Sequence, residues 1–266
     1  MRNKNINFTN LKKPVILISN DDGIESDGIK ALWRSIKKFA EVIVVAPNTQ
    51  QSAVGHSITV ANPIRYRKNL IDKNYYGYAV EGSPADSVKL AVRNILKNKK
   101  IDMLISGINH GANTAINIIY SGTVSAATEG TILGIPSVAI SLASFTYKDF
   151  SVASSFASKI ARTVLKNGLP KGTLLNVNIP AVSRKEIKGV LITKQGKSVW
   201  DDQYESRHDP NNREYFWLTG KMNILDNDLE FDQTALGENY ISVTPVHYDL
   251  TDYSLLDELK AWKIKM

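Results

Sequence analysis

Ser19-Asn20-Asp21-Asp22-Gly23 sets two adjacent carboxylates directly after a short apolar, β-branched run, Pro14 to Ser19. Like charges side by side repel, and a divalent cation beside them offsets that repulsion, so the pair predicts a hard-metal site. An Asx turn closing the strand, with Gly23 supplying a positive φ, accounts for the same residues without a metal. Two further polar segments follow apolar runs. Ala46 to Ser57 brings a hydroxyl at Ser52, and Ser106 to Asn113 brings the amides of Asn109 and Asn113 among small residues. Taken singly, each is also explained as an ordinary polar loop. Just beyond them, Tyr120-Ser121-Gly122-Thr123 opens a helix with hydroxyls and free backbone N–H groups, which suits a bound phosphate as well as it suits a plain Ser121 cap.

Together the segments combine carboxylates for a hard cation, amide and hydroxyl oxygens to complete its shell, and an anion seat at a helix start. Phosphate chemistry follows. No GxxxxGK[ST] loop occurs and no GxGxxG follows a strand, so nucleoside triphosphatase and dinucleotide-dehydrogenase readings lose their main support. Two acidic ligands suit one metal better than a two-metal clamp. The sequence has no cysteine, and its four histidines (His56, His110, His208, His247) are scattered without an HExxH pair. Disulfide frameworks, iron–sulfur clusters, thiol nucleophiles and imidazole-rich metal sites are therefore not expected. His110 lies close enough to Asn109 in sequence to raise a general-acid role, against the plainer reading of an exposed loop histidine.

These loops need a scaffold that brings them to one edge. Pro14 to Ser19, Val42 to Ala46, Ile101 to Ile105 and Ser137 to Ser141 are unbroken apolar runs of the kind buried under helices on both faces of a parallel sheet. Between them Ser26 to Ala40, Ser83 to Leu96, Gly122 to Leu133 and Val152 to Leu165 read as helices; the first places Ile29, Leu32, Trp33, Ile36 and Phe39 at helical spacing. Alternating strands and helices predict a doubly wound, Rossmann-like α/β sheet, and in such a sheet ligands bind at the carboxyl ends of strands. Residues 58–80 read as strands with turns. Residues 1–184 form the expected core, and 185–266 a β extension of the same domain. That extension has strand-like runs at 189–194 and 240–244, a polar aromatic arm over 200–218, and a tail helix from Tyr253 to about Lys263. Trp200, Tyr204, Tyr215, Phe216 and Trp217 in the arm suggest contacts with a neighbouring subunit.

At 266 residues, 43% of them apolar, one large domain with its own core is expected. Lys and Arg exceed Asp and Glu by 33 to 26, giving +7. That excess sits partly in short runs such as Lys12-Lys13 and Lys97 to Lys100, which read as solvated surface, and no aromatic-interleaved basic stripe points to a nucleic-acid duplex. The first ten residues lack the apolar core of a secretory signal. The uncharged stretch of 18 residues from Gly130 to Tyr147 contains Gly134, Pro136 and five Ser or Thr residues, and reads as a buried strand with its connections rather than a membrane span. A cytoplasmic location is the expectation.

The sequence resembles the SurE family (survival protein E). The resemblance is carried by ILISNDDGIESDGI at 16–29, VVAPNTQQSAVGHSIT at 44–59, VEGSPADSVKLA at 80–91, SGINHGAN at 106–113, YSGTVSAATEG at 120–130 and ISVTPVHYDLTDY at 241–253. It implies a metal-dependent phosphatase of nucleoside 5′- and 3′-monophosphates, with some members also trimming short polyphosphate. It implies one divalent cation, Mg²⁺ or Mn²⁺, on Asp21, Asp22, Ser52 and Asn109, with Asp21 and Asp22 as the catalytic carboxylates. Asn109, Asn113, Ser121, Gly122 and Thr123 are implied around the phosphate. The implied fold is a Rossmann-like core whose C-terminal arm and tail helix exchange between subunits in homo-dimers or tetramers. A non-catalytic nucleotide- or phosphate-binding regulator is the rival reading, and a phosphatase of another substrate class a third. Ala115 stands where the family usually has Gly, Ser83 and Ser87 replace its common Thr and Cys, and 208–213 lacks the Gly often found there.

Overall fold

A computed structural model describes residues 13–73, 75–264 and 266. The opening stretch read as lacking a signal core, and Lys12, lie outside the described residues. β1 (Val15–Ser19) is buried along its whole length. Ser26 then caps α1 (Asp27–Ile36) by accepting from the Ile29 N–H, and the helix buries Ile29, Leu32, Trp33 and Ile36. β2 (Glu41–Pro47) follows, then an antiparallel pair, β3 (Tyr66–Asp72) and β4 (Tyr75–Val80). Ser83 and Asp86 form a capping box at α2 (Pro84–Leu90), which runs on into a π-helical turn over Ala91–Ile95. β5 (Met103–His110), a single turn α3 (Asn117–Tyr120), α4 (Gly122–Ile132), β6 (Ser137–Leu142), α5 (Ser151–Asn167) and β7 (Thr173–Ile179) complete the core.

The sheet order is β3-β4-β2-β1-β5-β6-β7, continued by two C-terminal strands, β11 (Tyr240–His247) and β8 (Gly189–Ile192). From β4 through β7 every neighbouring pair is parallel, while β3 joins β4 and β11 joins β7 antiparallel. The fold is thus the expected doubly wound, mainly parallel α/β sheet. Helices α1 and α5 pack together on one face, and α2 and α4 on the other. Side chains of β1 alternate between the two cores: Ile16 and Ile18 join the α1–α5 side, Leu17 the α2–α4 side. Each such fully buried Ile or Leu contributes roughly 1.5–3 kcal/mol relative to exposure.

β1 is flanked by β2 on one side and β5 on the other, so the switch point lies between β1 and β5, and their carboxyl ends carry Ser19 to Asp22 and Asn109 to His110. β5 is longer than its apolar run. The Ser106-Gly-Ile-Asn109 segment, expected as a loop, is strand, with a register shift against β6 between Gly107 and Asn109. Helix α1 seats closely on this irregular stretch: a Cβ at Gly28 would stand 1.9 Å from the Ile108 carbonyl oxygen.

Beyond β8 the polar aromatic arm is a hairpin of β9 (Val199–His208) and β10 (Glu214–Asn223), which among the described residues pair only with each other. Three elements were not anticipated, β7, the single turn α3 and a short helix α6 (Asp232–Gly237). The tail helix α7 (Leu256–Ala261) is shorter than its apolar pattern suggested, and residues 58–65 form no strand. Among the described residues no helix is long and apolar enough to cross a membrane; Gly130 to Tyr147 divides into the end of α4, β6 and loops.

Candidate active site

At the end of β1 the turn is closed by Asn20, whose amide donates to the Gly23 carbonyl and to Ser26 Oγ, each at 2.9 Å. Asn20 thus closes the turn through its amide N–H groups rather than as an Asx turn, and the neighbouring carboxylates are left for other work. The Asp21 carbonyl accepts from the Gln51 N–H at 2.7 Å, which ties the loop after β2 to this edge. The Asp21 carboxylate accepts from the Thr123 hydroxyl at the start of α4. Asp22 Oδ2 accepts from the His110 backbone N–H at 3.1 Å, which ties in β5. Four segments distant in sequence thus meet around two adjacent carboxylates.

Gly122 makes that convergence possible. A Cβ there would stand 2.7 Å from Asp21 Cβ and 3.1 Å from the Gln51 carbonyl oxygen, so any side chain would force α4 away from β1.

Burial pushes the Asp21 carboxyl up to about 6, and the Asp22 charge adds to the effect, although the Thr123 hydroxyl opposes it. Asp22 is raised by burial as well, with the His110 N–H pulling the other way. Among the described residues no lysine or arginine pairs with either carboxylate. Two desolvated carboxylates without a cationic side chain fit a bound cation, which would supply the missing positive charge. The neutral oxygens nearby agree. Asn109 is buried and commits its amide N–H to the Gly111 carbonyl at 2.8 Å, which leaves its amide oxygen for a ligand role. Ser52 is exposed in the loop held by Gln51, its hydroxyl accepting from Gln50 Nε2 at 2.9 Å. All donors are hard oxygens, as Mg²⁺, Mn²⁺ and Ca²⁺ prefer.

The segments expected at the phosphate divide in their placement. Ser121 caps α4, accepting from the Val124 N–H at 3.1 Å, which leaves its own proton free to donate. Thr123 turns its hydroxyl onto Asp21, and its backbone N–H also supports that carboxylate. Asn113 is buried in an amide network. Its N–H donates to Asn178 Oδ1 at 2.8 Å, its carbonyl accepts from the amides of Asn176 and Asn178, and one of its side-chain N–H groups reaches Ser141 Oγ at 2.9 Å. His110 is not an exposed loop residue: it ends β5, stacks on Phe150 with ring centroids 4.9 Å apart, and buries Nε2 with no partner among the described residues.

Sequence reasoning missed Ser141, Asn176, Asn178 and Asp232. Asn176 and Asn178 lie two apart on one face of buried β7, a pattern that marks paired polar side chains turned toward a common partner. Asp232 at the start of α6 accepts from the N–H groups of Ala115, Gly196 and Gln233, and burial raises its pKa despite them. It fixes the turn that follows Asn113.

Fold and site define a doubly wound α/β protein with an acidic, oxygen-rich cluster at the carboxyl rim of its sheet, bounded on one side by a helix N-terminus. The chain belongs to the SurE family: the sequence profile described as Survival protein SurE matches residues 16–202. It is 46% identical over 255 residues to the 5′-nucleotidase SurE of Chlorobium phaeobacteroides, covering 96% of this chain and 98% of that one. To the 5′-nucleotidase SurE of Chlorobaculum tepidum it is 45% identical over 257 residues, 97% of each chain. The crystal structure of the SurE protein from Aquifex aeolicus superposes with a TM-score of 0.82 at 40% identity, covering 94% of this chain and all of that one.

Proposed function

We propose that this chain hydrolyses nucleoside 5′-monophosphates to nucleoside and phosphate, with 3′-monophosphates and short polyphosphate as further substrates. The observation that carries the reading is the Asp21–Asp22 pair, one carboxylate buried and the other half-buried, without a lysine or arginine partner among the described residues and set against the first turn of α4. Relatives of near-identical length that carry the name 5′-nucleotidase support the substrate class.

In this reading Asp21, Asp22, Ser52 and Asn109 hold one divalent cation, Mg²⁺ or Mn²⁺. When bound, such a cation supplies Lewis acidity toward a phosphoryl oxygen and makes water more acidic. The chain's own residues do the rest. Ser121 and Asn113 donate to the phosphate, and the Gly122 and Thr123 segment presents the positive end of α4. Asn109 lies between cation and phosphate and serves both. Asp22, with one oxygen held by the His110 N–H, keeps its other oxygen to accept the proton of the attacking water. Thr123 holds Asp21 in place as an anion.

Residues 185–266 act in assembly as well as in folding. The β9–β10 hairpin exposes Tyr204, Phe216 and Trp217, an apolar surface suited to a homo-dimer or tetramer. The site of action is the cytoplasm.

Phosphate release from a panel of nucleoside monophosphates, across Mg²⁺, Mn²⁺ and a chelator, tests the activity. Asp21→Asn and Asp22→Asn are expected to abolish release while circular dichroism shows the fold retained. Undiminished turnover in both variants removes the ligand assignment; tight nucleotide binding with no release by the unaltered protein makes it a regulator instead.

A further inference from the structure

A cavity of about 780 Å³ opens beside the candidate site, between α3 and the base of the β9–β10 hairpin, with Ala53, Tyr120, Trp200 and Leu218 among its walls. We infer that this cavity receives the nucleobase of the substrate, and that Trp200 and Tyr120 are the residues that select for it. The inference rests on the phosphomonoesterase reading above and concerns the part of the substrate which that reading leaves unseated.

Position comes first. Ala53 directly follows Ser52, and Tyr120 directly precedes Ser121. The cavity wall therefore begins one residue, about 3.8 Å of backbone, from both the proposed cation ligand and the proposed phosphate segment. The two walls are joined, since the Gly55 N–H donates to the Tyr120 carbonyl at 3.1 Å. In a nucleotide only a ribose separates phosphate from base, so a phosphate seated at the start of α4 puts the base within reach of this recess. Its volume lies inside the range of small-molecule sites, roughly 300–1,000 Å³.

Chemistry points the same way. Trp200 is 43% exposed and Tyr120 53%, so two aromatic side chains stand open to solvent at the walls of one recess. A base stacked on such faces covers them with little dependence on its identity. Trp200 is also fixed: its indole N–H donates to Asn117 Oδ1 at 2.7 Å, which orients the ring and leaves the Asn117 amide N–H group as a donor for a base edge. The Asp202 carboxylate, on the same wall, supplies an acceptor. A cavity that offers stacking faces together with one donor and one acceptor suits a purine or pyrimidine better than a bare sugar phosphate.

The test compares kcat/KM for a nucleoside 5′-monophosphate with that for ribose 5-phosphate, which carries the same ester and no base. The unaltered protein is expected to prefer the nucleotide. Trp200→Ala and Tyr120→Ala should each lower the nucleotide-to-ribose 5-phosphate ratio about tenfold, through KM rather than kcat. Trp200→Phe, which keeps a stacking face and the hairpin's packing, should keep most of the ratio and carries the test if Trp200→Ala does not fold. No preference in the unaltered protein, or an unchanged ratio in the alanine variants, overturns the inference. Absence of turnover on both substrates by the unaltered protein overturns the phosphomonoesterase reading instead, so the two failures are told apart.

Discussion

The Thr123 hydroxyl on the first turn of α4 donates to the Asp21 carboxylate at the end of β1, across 102 residues of sequence. This contact fixes the orientation of one proposed metal ligand from a helix that would also hold the phosphate. Thr123→Val removes the donor at nearly constant volume and should weaken Mn²⁺ binding by about tenfold or more, read by calorimetric titration, while Thr123→Ser restores it. Equal Mn²⁺ affinity in the valine variant would show that Asp21 does not depend on this support.

Metal-free protein should show a pH signature of the same carboxyl. Asp21 is raised to about 6 from an ordinary 3.8, so its ionised form is disfavoured in the fold. The penalty is fully present above pH 6, shrinks as pH falls and is absent below about 3.8, with a size on the order of 3 kcal/mol. In chelator, denaturant midpoints of the unaltered protein should therefore rise relative to Asp21→Asn between pH 7 and pH 5. Parallel curves for the two proteins contradict the burial of the charge.

Glu129 on α4 accepts from Lys89 Nζ at 2.6 Å and His56 Nε2 at 3.0 Å, with its side chain almost wholly buried. Burial alone would raise its pKa, but these two partners outweigh it and leave it lowered. The ion pair links α4 to α2 and to the loop that carries Ser52. Glu129→Gln should cost about 1–3 kcal/mol in stability, measured in urea at pH 7. That difference should shrink as pH falls below the ordinary glutamate range, because the stabilisation is present above it and is lost on protonation.

Ala115 adopts φ +50 in the turn pinned by Asp232, a conformation that costs an L-residue about 1–2 kcal/mol. Glycine removes that strain but loses about 0.8 kcal/mol of buried methyl and gains freedom in the unfolded chain. Ala115→Gly should thus change stability by less than about 1 kcal/mol, whereas Ala115→Val, β-branched at positive φ, should cost more than about 2 kcal/mol. Thermal melts of the three proteins decide it, and a valine variant as stable as the parent refutes the strain.

The sheet was legible where strands are unbroken and apolar: β1, β2 and β6 stand close to where their β-branched runs place them, because burial on both faces leaves no polar position to disguise them. β7 escaped notice because Asn176 and Asn178 interrupt its pattern, and asparagine is depleted in strands. Those same residues hold Asn113, so the feature that hid the strand is the one that serves the site. Asp21 and Asp22 could be singled out because adjacent acids at a strand end are costly without a counter-charge. Asp232 could not, since the distant Ala115 and Gly196 N–H groups that it accepts from leave no local signature in the sequence.

Among the described residues β8 pairs with β11 alone, and β11 is the strand that covers the far edge of β7. During synthesis the chain must therefore emerge as far as residue 247 before β7 gains the whole of that neighbour. At about 5–20 residues per second, the nascent protein spends some seconds with the catalytic strands assembled and one sheet edge open, a template for pairing with other chains.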